Sequence, residues 1–62
     1  MKTKEIKSLI DQGKGMDSIY EIAAGNLGLY GVAFFGHKAK PGQRRKLTTV
    51  WNRIVDVFHK EL

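Results

Sequence analysis

Cysteine is absent from the sequence, proline occurs once, and acidic side chains are few, six against eleven lysines and arginines. Without thiols there is no disulfide staple and no thiolate zinc site, so apolar packing must carry stability, with a partner subunit as the remaining resource. The cysteine count fits a reducing compartment. Long hydrophobic runs are missing too. The longest uncharged stretch, Ile22 to His37, is sixteen residues interrupted by Asn26 and four glycines, short of the roughly 20 apolar residues a bilayer span needs. The basic start, Met1 to Lys7, has no apolar run behind it and does not read as a secretory signal. The expectation is a soluble, cytoplasmic chain with no membrane partner. A 62-residue chain buries only about 60% of the surface its unfolded form exposes, which leaves room for one thin core. With no repeats and no low-complexity tract, residues 1–62 read as a single domain.

What is present is mostly helical pattern. Thr3 is placed to be an N-cap, and Ile6, Leu9 and Ile10 follow at the spacing of a buried helical stripe. Gly13-Lys14-Gly15 reads as a turn. Ser18 and Glu21 have the spacing of a capping box, which predicts a second helix with Ile19, Ile22 and Ala23 facing inward and an end at Gly25-Asn26. Leu27 to Phe35 is apolar on every face and reads as a buried central helix. Pro41-Gly42 suits the centre of a type II turn within a loop from His37 to Lys46. The last segment, from Leu47 or Thr48 onward, is the clearest. At 100° per residue its apolar side chains fall within about 160° of arc, and Asp56 precedes Lys60 by four residues, which supports an exposed helix. The predicted fold is mainly α, a compact domain of three to four helices with a basic loop before a long C-terminal amphipathic helix. The alternative is α+β, with Tyr30 to Phe35 paired to Lys46 to Trp51 in a hairpin around Pro41-Gly42.

Charge is distributed unevenly. Residues 1–36 hold four lysines and four acids, whereas residues 37–62 hold seven cations and two acids, so the whole excess of +5 lies downstream. Five of those cations, Lys38, Lys40, Arg44, Arg45 and Lys46, fall within nine residues that contain no acid. Such clustering attracts phosphate, and each cation set against one releases condensed counterions. The bland reading is a solvated loop. The functional reading is nucleic-acid binding, DNA before RNA and duplex in form, with these five residues on phosphates and Arg53 extending the patch along the last helix.

The segment Gly25-Asn26-Leu27 also resembles the short turn of a helix-turn-helix, which would make Leu27 to His37 the recognition helix. Its side chains are apolar where base-reading groups belong, so contacts are expected from its basic C-terminal end, the Lys38 to Lys46 loop and Arg53. Tyr30, Phe34, Phe35 and Trp51 have the chemistry to stack on unpaired bases, but in so small a chain they read as core, with Trp51, Ile54 and Phe58 holding the platform.

Catalysis is not expected. His37 and His59 lie on different elements with no adjacent ligands for a metal set. Asp17 and Glu21 read as helix-start carboxylates, and the glycines match neither the P-loop nor the dinucleotide fingerprint. No metal and no cofactor is implied. The competing function is a protein-interaction module, an inhibitor, adaptor or homodimer, that uses surplus apolar surface and sets the basic loop against an acidic protein partner.

Overall fold

The computed structural model describes residues 1–61, which form four helices: α1 (Thr3–Asp11), α2 (Met16–Asn26), α3 (Tyr30–Phe34) and α4 (Gln43–Glu61). The mainly helical expectation holds. There is no strand among the described residues, and Lys46 to Trp51 lies inside α4, which overturns the hairpin alternative.

Helix α4 is the spine. Nineteen residues at 1.5 Å each make about 28 Å, most of the molecule's 34 Å long axis. Leu47, Val50, Ile54 and Val57 are its buried face, at the spacing that keeps one stripe turned toward a neighbour. Helices α1 and α2 both pack on that stripe, and α3 packs on α2. Ile6, Ile19, Ala23, Val50, Ile54 and Val57 form the larger core cluster, with Met1, Met16, Tyr20 and Phe58 partly buried against it. A smaller cluster of Ala24, Leu29 and Leu47 closes the α3 end.

Helix ends differ from the sequence expectation at both starts. Lys2, not Thr3, is the N-cap of α1, and its carbonyl accepts from the Glu5 and Ile6 amides. The chain is pinned just before that point, because Met1 packs on the core and Arg53 Nη1 donates to the Met1 carbonyl at 2.7 Å. Helix α2 starts at Met16 behind Gly15, so Ser18 and Glu21 lie inside its first turns and make no capping box. Met16 joins the core and the Gly15 carbonyl accepts from Ile19. Ile22 also faces outward, at 37% exposure. The contacts of Ala24 with Leu29 and Leu47 rotate α2 so that Met16, Ile19, Tyr20, Ala23 and Ala24 share the inner arc.

Helix α2 ends at Asn26, as the Gly25-Asn26 expectation has it, and Gly28 closes that end. Gly28 has φ +71°, its amide donates to Gly25, and the Leu29 amide donates to Ala24 at 2.8 Å. This is a Schellman motif with its usual apolar contact, here Leu29 on Ala24. The reversal shortens the expected Leu27 to Phe35 helix to the five residues of α3, none of them fully buried. The helix-turn-helix reading falls with it, because the segment presents neither length nor polar side chains to a groove.

Candidate nucleic-acid interface

The Pro41-Gly42 turn forms as expected. The Gln43 amide donates to the Lys40 carbonyl, Gly42 sits at φ +88°, and the Gln43 side-chain Oε1 accepts from the Lys40 amide at 2.7 Å. That reach-back ties the linker to the first residue of α4. It starts α4 at Gln43, four residues before the sequence reading put it. Arg44, Arg45 and Lys46 are therefore first-turn helical residues, while Lys38 and Lys40 remain on the linker. All five are exposed, as is Arg53.

A helical start changes what the cations can do. Consecutive residues diverge by 100°, so Arg44 and Arg45 look to different sides. Arg45, Lys46 and Arg53 line a shallow groove of about 280 Å³ with Met1, Leu27 and Thr49. Arg53 keeps part of its five-donor fork free of the Met1 carbonyl. Arg44 lines a larger groove of about 530 Å³ with Thr48 and Trp51, one and two turns along the same face. Lys38 and Lys40 are not among the described residues lining either groove. The expected patch thus becomes a cationic helix end with grooves on two sides, fed by two linker lysines.

Three cations in a first turn with no acid oppose the helix dipole, whose N-terminal end favours anions. Their charge adds to the positive end of that dipole, and both attract phosphate. No acidic residue occurs from Ile22 to Val55, so this field is not neutralised within the segment.

Aromatic side chains complete the site, and here the sequence reading needs correcting. Tyr30, Phe34, Phe35 and Trp51 were expected to be core. Instead Phe34 is 43% and Phe35 65% exposed, and Tyr30 and Trp51 are half-buried. They form one ridge of touching rings. Trp51 meets Tyr20 edge-on with centroids 5.2 Å apart, Tyr20 meets Phe34 at 5.6 Å, Phe34 meets Tyr30 at 5.0 Å, and Tyr30 meets Phe35 at 5.2 Å. His37 follows at 6.3 Å from Phe35. Its imidazole lies over Gly31, where a Cβ would overlap it, and its amide shares the Gly31 carbonyl with that of Phe35. Tyr20, Phe34 and Trp51 also line the larger groove, together with Asp17 and the aliphatic floor of Val32, Ala33 and Leu47.

Sequence reasoning missed the roles of Tyr20, Thr48 and Asp17 in this groove. The usable signal was the crowding of Tyr30, Phe34 and Phe35 directly before the cation run. Among the described residues, no group of His, Asp or Glu side chains could hold a metal ion, and no helix is long and apolar enough to cross a membrane. No protein-family model, no curated protein and no solved structure matches this chain.

Proposed function

We propose that the protein is a non-catalytic nucleic-acid-binding module that grips the phosphates of DNA through Lys38, Lys40, Arg44, Arg45 and Lys46, with Arg53 extending the contact. The observation that carries this reading is the exposed cationic first turn of α4, where three charges stand against their own helix dipole. An arrangement that is unfavourable in the free chain becomes favourable once an anion sits on it. Arginine forks add bidentate phosphate contacts.

The test is fluorescence anisotropy with labelled DNA and RNA at low salt. Wild type is expected to bind, Arg44→Ala/Arg45→Ala to lose at least about tenfold, and Lys60→Ala to bind as wild type. Lys60 stands fourteen residues beyond Lys46 on α4, about 21 Å along the axis and outside the roughly 10 Å screening length at 0.1 M salt. No binding of either nucleic acid at low salt would refute the proposal.

A second reading, a protein-interaction module, draws on four exposed apolar side chains, Ile22, Leu27, Phe34 and Phe35. It expects a stable dimer in sedimentation, or a stoichiometric acidic protein partner, unaffected by the arginine changes. A concentration-independent monomer without such a partner would refute it.

A further inference from the structure

We infer that the larger groove and the aromatic ridge beside it form a stacking site for unpaired bases, so that the nucleic acid taken by this protein is single-stranded. This rests on the reading that the cationic turn binds phosphate, and it adds the form of the strand.

Three observations converge. Five of the six Phe, Tyr and Trp side chains are joined ring to ring across α4, α2 and α3. A core would enclose such a chain of rings, yet Trp51, Tyr20 and Tyr30 are only half-buried and Phe34 and Phe35 are 43% and 65% exposed. The ridge also runs beside the cations at both ends. Phe35 precedes His37 and Lys38 on the linker, and Trp51 shares the groove with Arg44.

A duplex cannot use these surfaces, because its bases are stacked on one another and only its phosphates and groove edges are offered. An unpaired strand presents both a charged backbone and free π-faces, and proteins that bind such strands combine a basic track with stacking platforms. Within the groove, Arg44 adds a donor for phosphate or a base carbonyl, and the Asp17 carboxylate accepts from a base amino group. A second copy of this chain fits the same surface poorly. The chain carries +5, and pairing the patch with itself would set like cationic rims against each other.

The chain's single tryptophan makes the test direct. Unlabelled dT20, rU20 and a 20-base-pair duplex are titrated into the full chain at fixed salt, with Trp51 emission and affinity both followed. Single strands of either sugar are expected to quench Trp51 and to bind more tightly than the duplex. Phe35→Ala, at an exposed position outside the core, is expected to weaken dT20 binding at least about fivefold while leaving duplex binding unchanged. Phe35→Trp is expected to restore it. A duplex that binds as tightly as dT20, with Trp51 emission unmoved and Phe35→Ala neutral, would overturn the stacking site while phosphate binding stands. Equal quenching by polyglutamate would also overturn it, by showing that negative charge alone suffices. If none of the three nucleic acids binds, the stacking site and the phosphate reading both fail.

Discussion

Gly25 and Gly28, three residues apart at the end of α2, make opposite demands. Gly28 holds φ +71°, a conformation that costs an L-residue roughly 1–2 kcal/mol. Gly25 is still helical, and a Cβ there would meet nothing within 4 Å. Gly28→Ala should therefore destabilise by about 1–2 kcal/mol, whereas Gly25→Ala should stabilise by up to about 0.5–1 kcal/mol through helix propensity. At about 4–8 °C of melting temperature per kcal/mol in so small a domain, thermal denaturation followed by circular dichroism separates them. Equal effects would mean that Gly28 does not cap α2. In the core, Ile54 is fully buried between α4 and its neighbours. Ile54→Ala should cost about 2–5 kcal/mol. A domain of this size has only about 3–9 kcal/mol in hand, so the variant should show a denaturant midpoint far below wild type or no folded baseline at all.

At the level of elements, α4 serves packing with one face and the candidate site with its first turn, and the two roles can be separated. Arg44 is exposed, stands on that first turn and lies outside the core clusters. Arg44→Glu exchanges an unfavourable charge at a helix start for a favourable one, so stability should rise by about 0.3–1 kcal/mol while DNA affinity falls. Urea denaturation and anisotropy on the same sample check this. A variant that lost stability and binding together would instead indicate that Arg44 is part of the fold.

The same helix shows what was readable in advance. Its body was plain, because Leu47, Val50, Ile54 and Val57 keep a helical period that only a buried stripe explains. Its start was not, since Arg44-Arg45-Lys46 looks like a solvated loop although arginine and lysine are good helix formers. What begins α4 there is the side chain of Gln43 reaching back to Lys40, a contact fixed by the Pro41-Gly42 turn. Gly28 was equally hidden, because its role depends on where Leu29 packs.

For the whole molecule, the decisive fact is that 62 residues cannot enclose all their apolar surface. Hydrophobicity along α2 and α3 was visible, but which of Tyr30, Phe34 and Phe35 go inside depends on the Schellman reversal and on the rotation of α2. The surplus emerged as a partly exposed ridge beside the cations. The charge asymmetry was fully legible, and all six cations assigned from the sequence are exposed. Their division between linker, two grooves and a helix start was not, because it follows from three-dimensional angles.

The measurement that tests the central claim most directly is the salt dependence of affinity for dT20, compared between wild type and Arg44→Ala/Arg45→Ala. With four or five phosphate contacts, log Kd against log salt should follow a slope of magnitude about 3 for a single strand, falling by about 0.7 for each arginine contact removed. A slope near zero, or one that the double variant leaves unchanged, would contradict phosphate binding by the first turn of α4.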